Sequence, residues 1–245
     1  MDEDARSTAV SRIPEADPAW RGAYRAGGIS AIAYVVLGIV APALMFFAVG
    51  YPRTSSGAEL LDFIAEHRVW WMVLQTLTLG PSFLAIVVFL ALFLALKDGR
   101  RSLAAIGAVL AIVCQTLFVS FLPGTLGMLY LADQRAVADE PRRAALEAAA
   151  EAVTAPLDAF NPLYETVFAV AVLLVSLAML RSAFPRWMAW LGVAAAVSEV
   201  IAVSALALIG MGYFWWWLVF AVWFVAVGWR LLRLPTRDRP SRPLE

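Results

Sequence analysis

Residues 70–131 read WWMVLQTLTLGPSFLAIVVFLALFLALKDGRRSLAAIGAVLAIVCQTLFVSFLPGTLGMLYL, two apolar runs joined by a short polar segment around Lys97 to Arg101. A helix rises about 1.5 Å per residue and a bilayer holds about 30 Å of hydrocarbon, so about 20 apolar residues make one crossing. Both runs, Trp70 to Leu96 and Leu103 to Leu131, exceed that length. The tight turn between them makes the pair an antiparallel helical hairpin. Its far ends are long enough to project past the outer headgroups. Gly80-Pro81, Pro123-Gly124 and Gly127 are the expected kink sites.

Outward from this hairpin, four more runs reach spanning length: about Ile29 to Gly50, Pro162 to Leu180, Trp187 to Ile209 and Gly212 to Trp229. The composition agrees. Apolar residues make up 62% and charged residues 16% of the 245 positions, against about 45–50% and 25% in soluble domains. The expected fold is all-α, a polytopic membrane protein of six transmembrane helices. A polar tail (1–28) precedes the bundle (29–230), and a basic tail (231–245) follows it. The acidic character of residues 1–28 reads as a cytoplasmic tail before an uncleaved first span, although Ala48-Val49-Gly50 loosely fits a cleavage site.

Lys and Arg near span ends stay on the cytoplasmic side. Fourteen of the 19 lie before span one, between spans two and three, between spans four and five, or after span six. The alternate loops hold Arg53, Arg68, Arg135, Arg142 and Arg143. Both termini are therefore expected in the cytoplasm. Trp70, Trp71 and Trp215 to Trp217 then fall at the outer interface, and Trp187, Trp190 and Trp229 at the inner one. Eighteen arginines beside one lysine, with abundant alanine, suggest a GC-rich bacterial genome and hence a plasma-membrane location.

Several chemistries are excluded. Cys114 is the single cysteine, so no intrachain disulfide or thiol pair exists. His67 is the single histidine, which removes bis-histidine haem sites, multi-histidine iron centres, Ser-His intramembrane proteases and H-E-x-x-H enzymes. Lys97, the single lysine, lies in a loop and cannot form a Schiff base inside the bundle. Net charge is zero, which gives no reason to expect nucleic acid as a partner. No cofactor or metal is expected; the lipid bilayer is the expected partner, with no protein partner indicated.

The outer loops, 51–69 and 132–161, carry helix signals of their own. Ser56-Gly57-Ala58-Glu59 has capping-box spacing, and Leu60, Phe63, Ile64 and His67 then share a face. Asp139-Glu140-Pro141 opens a second short helix, with Leu146, Ala149, Ala150 and Val153 on its apolar side. These two amphipathic helices either lie in the headgroup plane or close over a cavity.

Ionisable groups in hydrocarbon cost about 2.5–3.5 kcal/mol on insertion scales, so each needs a reason. Two occur here. Glu199 lies about 20 Å into span five and shares a face with Gly192, Ala195, Ala196 and Ala202, which aims it at neighbouring helices. Glu165 follows Asn161-Pro162, which reads as an N-cap with proline at the first helical position, so its carboxylate would favour the helix dipole. Gln75, Thr78 and Ser82 share a face of span two, and Gln115, Thr116 and Ser120 flank the middle of span three. Hydroxyls can back-bond to their own helix, whereas a primary amide has several donors and acceptors to satisfy. The expected site is an outward-opening polar pocket bounded by Gln75, Gln115, Glu165 and Glu199, with Tyr164, Asp158 and His67 as rim residues. The plainer alternative for Glu199 is a neutral carboxyl that holds two helices together, and for Glu165 it is the helix-dipole role.

From Asp158 to Gly192 the chain reads DAFNPLYETVFAVAVLLVSLAMLRSAFPRWMAWLG. This resembles a large family of bacterial integral-membrane proteins known only as a domain of unknown function. Its marks are an Asp/Asn-Pro helix start, an Arg-Ser turn and Pro-Arg-Trp, here Arg181-Ser182 and Pro185-Arg186-Trp187. Arg25 to Gly28 loosely matches an N-terminal Arg-x-Ala-Gly-Gly. The resemblance implies a six-span bundle over most of residues 20–230 and assigns no activity or catalytic residue. Three functions stay open: binding or transport of a small or lipid-like ligand, a membrane enzyme on a lipophilic substrate with protonated Glu199 or Glu165 as general acid, and an accessory protein that packs against a partner.

Overall fold

The computed structural model describes residues 17–44, 56–205 and 213–234, and every helix and loop there belongs to an all-helical chain. A single 3-10 turn, Pro18–Trp20, leads into α1 (Arg21–Ala43). There follow α2 (Gly57–Glu66), α3 (Arg68–Leu79), α4 (Ser82–Leu96), α5 (Arg101–Val119), α6 (Leu122–Ala136), α7 (Glu140–Met179), α8 (Arg186–Ser204) and α9 (Tyr213–Leu232). Five stretches are long and apolar enough to cross a membrane: α1, α3 with α4, α5 with α6, α7, and α8. A shorter apolar helix, Trp217–Leu232, completes the set within α9. Long apolar helices of this kind mark a membrane-embedded protein.

The bundle is a closed ring in which α1 packs on α4, α4 on α5, α5 on α7, α7 on α8, α8 on α9 and α9 back on α1. Its centre is filled by aromatic rings. Phe89 meets Phe168 edge-on at 5.5 Å and Phe224 at 6.2 Å, while Trp223 meets Phe224 at 5.2 Å. Such edge-to-face pairs add to dispersion packing, which lipid does not weaken. Close helix approach comes from glycine. A Cβ on Gly27 would stand 2.3 Å from the Ala91 Cβ of α4, and one on Gly28 2.8 Å from the Gly228 carbonyl oxygen of α9. The Gly-Gly pair at the start of α1 thus seats that helix against two neighbours at once. On α5 the stripe Ile106, Val109, Val113 and Leu117 turns outward instead.

Above the ring stands a second unit, a head built from α2, α3, α6 and the N-terminal half of α7. It has its own core of Leu60, Leu61, Phe63, Ile64, Trp71, Met128, Ala132 and Ala150. Leu61 and Ile64 are fully buried, each contributing about 1.5–3 kcal/mol where the alternative is water. Ion pairs stitch its surface. Arg68 grips Asp133 through both terminal guanidinium nitrogens, Nη1 and Nη2, and Arg135 bridges Asp62 on α2 and Glu147 on α7. Carboxylates thus neutralise Arg68 and Arg135, two of the arginines on this side of the chain.

Several expectations are corrected. The first helix begins at Arg21, eight residues before Ile29, because burial of Tyr24, Gly27 and Gly28 against neighbouring helices outweighs the low helix propensity of its glycines. Spans two and three are interrupted near the expected kinks, span two at Gly80-Pro81 itself and span three at Ser120-Phe121, just before Pro123-Gly124. The helix opened by Asp139, whose side chain accepts from the Arg142 N–H at 3.3 Å, is not short: α7 runs 40 residues, about 60 Å. Asn161-Pro162 is accordingly no helix start, and Glu165 sits in mid-helix, because packing on α5 and α8 holds the chain helical through both prolines. Ser56 does cap α2, accepting from the Glu59 N–H at 3.2 Å. That helix lays its apolar face on α6 and α7. The possible cleavage site at Ala48 to Gly50, the Trp215 and Trp216 side chains, and most of both tails lie outside the described residues.

Candidate functional site

Five side chains from three helices meet in the half of the ring nearer the head. Gln115 of α5 is fully buried, and its Nε2 donates to the Tyr164 hydroxyl of α7 at 2.9 Å. Beside it, the Cys114 thiol points at the Tyr164 carbonyl oxygen, 3.4 Å away. Tyr34 of α1 lies close enough to Tyr164 and Gln115 to interact with both. Half-buried Glu165 lies within electrostatic reach of Tyr34, Cys114 and Tyr164.

Rings wall this group. Tyr164 stacks on Phe118 at 4.4 Å and on Phe168 at 5.9 Å, and Phe160 meets Phe121 at 5.4 Å just outside it. Phe160, Tyr164 and Phe168 are four residues apart on α7, one face of the helix. Within this apolar cage the Gln115 Oε1 is buried and has no hydrogen-bond partner among the described residues. An amide oxygen in that state carries a desolvation cost of about 1–3 kcal/mol until a donor reaches it.

Of the four residues expected to bound the pocket, Gln115 and Glu165 are brought together. Glu199 is almost wholly buried on α8, on the same face as Gly192, Ala195, Ala196 and Ala202, and so faces the neighbouring helices α7 and α9. Gln75 is half-buried on α3, which packs on α1, α2 and α6. The face it was expected to share with Ser82 is broken by Gly80-Pro81. Thr116 and Ser120 back-bond to Ile112 and Leu117. Among the rim residues, Tyr164 is central rather than peripheral. His67 caps α2 in the head, its Nδ1 3.2 Å from the Phe63 carbonyl oxygen, and the Asp158 side chain lies outside the described residues.

Sequence reasoning missed Tyr34. The available signal was a tyrosine in mid-span, an aromatic whose hydroxyl seeks a partner when buried. Among the described residues no three His, Cys, Asp or Glu side chains come together to hold a metal ion. The group offers neutral donors, one open acceptor and one carboxyl inside an aromatic wall. Such a set orients a hydroxyl-bearing or amide-bearing molecule. Comparison with protein-family models, with curated proteins and with solved structures returned no match to this chain.

Proposed function

We propose that this is a six-span protein of a bacterial plasma membrane, with both termini in the cytoplasm, that binds or carries a small or lipid-like molecule at Gln115. The carrying observation is the buried Gln115 amide, whose Nε2 donates one N–H to Tyr164 and whose Oε1 is left open inside an aromatic cage. Buried polar groups are satisfied in folded proteins, so an open acceptor beside two hydroxyls favours an occupant that donates a hydrogen bond. Tyr34 and Tyr164 would hold its polar end and the rings of Phe118 and Phe168 its apolar body. Glu165 supplies a carboxyl at the edge of the group. Glu199, buried one helix away, provides a second polar point along α8. Counting α9 as the sixth span agrees with the ring, which α9 closes, and with the arginine asymmetry of the loops. The resemblance to the uncharacterised six-span family implies the same topology.

The test is native mass spectrometry of the protein released from lipid nanodiscs, wild type beside Gln115→Leu. A molecule retained by wild type and lost from a folded Gln115→Leu variant supports the reading. Equal retention, or no retained molecule in either, overturns it.

A further inference from the structure

Proline has no N–H to donate and its ring crowds the preceding turn, so each proline within a helix leaves a weakened place in the backbone ladder. α1 holds Pro42, the α3–α4 run is broken at Pro81, the α5–α6 run is broken two residues before Pro123, and α7 holds Pro156 and Pro162. Ring contacts give their relative heights. Phe121 lies against Phe160, and Phe89 lies against Phe168. Pro81 is eight residues outward of Phe89 and Phe160 eight residues outward of Phe168, about 12 Å in each case. Tyr34 faces Tyr164, and Pro42 and Pro156 each lie eight residues outward of that pair. All these prolines therefore fall within about a turn or two of one level.

The molecule contains its own control. α3, α6 and α7 build the head, and α1 packs on α3. The two spans of the ring that neither run on into a head helix nor pack closely on α2, α3 or α6, namely α8 and α9, contain no proline. The cores divide at the same level: the head buries one apolar cluster and the ring another. The head is internally braced by Arg68–Asp133, by Arg135 between Asp62 and Glu147, and by the Trp71 indole N–H donating to the Thr125 carbonyl at 2.8 Å. Immediately below lie Tyr164 and Gln115, under the Phe118, Phe121 and Phe160 rings.

We infer that the prolines form a collar on which the braced head tilts as one body against α8 and α9, uncovering and closing the Gln115 group. The hinge needs only the fold, and its role as a lid rests on the reading of that group as a binding site. Tilting parts Phe121 from Phe160 while Gln115 and Tyr164, on the ring side of the collar, keep their hydrogen bond. A ligand would then pass from the outer side, between α6 and α7.

The experiment is a spin-label distance measurement on the full chain in lipid nanodiscs, in a Cys114→Ala background. The labels go on Ala144→Cys in the head and Ser204→Cys at the outer end of α8, both exposed positions. Ala144 stands about 24 Å beyond the collar, so a tilt of about 20° moves it by about 8 Å. The expected result is a distance distribution at least that wide, or two populations, narrowed to one by Pro81→Ala with Pro123→Ala. A single narrow distance in the unmodified collar overturns the proposal, as does a wide distribution that the proline replacements leave unchanged. Neither result depends on ligand, so a hinge that moves beside an equal Gln115→Leu retention would remove the binding reading and leave the hinge.

Discussion

Gln115 and the glycines of α1 show how much rests on single side chains here. The Gln115 Nε2 is committed to Tyr164, so Gln115→Glu would place a carboxyl against the phenol oxygen and beside Glu165. Taking a second carboxyl into a buried, apolar wall costs several kcal/mol unless it stays protonated. Lower thermal stability in detergent than that of Gln115→Leu, measured side by side, is the expected outcome. Gly28 supplies a cleaner contrast. A Cβ there meets the Gly228 carbonyl oxygen at 2.8 Å, whereas a Cβ on Gly22, in the same helix, meets nothing within 4 Å. Gly28→Val should lose about 1–3 kcal/mol through overpacking against backbone that cannot give way. Gly22→Val should change stability little. Equal melting shifts for the two would show that the α1–α9 contact is not what holds α1.

Among the elements, α2 depends most on its neighbours. Its ten residues are too few for an isolated helix to persist in water, so it exists because Leu60, Leu61, Phe63 and Ile64 bury against α6 and α7. Ile64→Ala should cost about 2–5 kcal/mol of head stability, since the site lies between two helices that cannot collapse onto it. Arg135→Ala should cost less, about 1 kcal/mol, because Asp62 is exposed and its pair is screened. Hydrogen exchange checks both. Amides of residues 57–66 should lose protection in the order Ile64→Ala above Arg135→Ala, with the inner half of α4 and α5 unchanged. Loss of protection throughout the ring would mean that head and ring fold as one cooperative unit. The same element explains a partial success of sequence reading. The capping box at Ser56 and the 3.6-residue apolar period are local, and both are found. The surface that receives the apolar face is not local, since α6 and α7 come from residues 60 to 90 positions away.

At the scale of the molecule, Asp17 before α1, Arg230 near the end of α9 and both short turns, at Lys97 to Arg101 and at Arg181 to Pro185, belong to one end of the ring. Arg230 marks that end, its guanidinium donating to the Ala183 carbonyl at 2.7 Å. The head occupies the opposite end. A membrane-impermeant maleimide added to intact cells should therefore label Ala144→Cys and not Ser102→Cys, and the reverse pattern would invert the orientation. Apolar run length and arginine asymmetry made the helical, membrane-embedded class and the hairpin of residues 70–131 readable in the sequence alone, because crossing hydrocarbon demands a continuous apolar segment whatever it packs against. Glu199 facing inward was readable too, since a small-residue face and a carboxyl on one side of a helix leave it little alternative. The union of the outer helix with span four into α7, the head with its separate core, and the meeting of Tyr34, Gln115 and Tyr164 were decided only in three dimensions. Prolines and polar residues carry a local preference for ends and turns, and it is the packing of distant helices around them that overrides it.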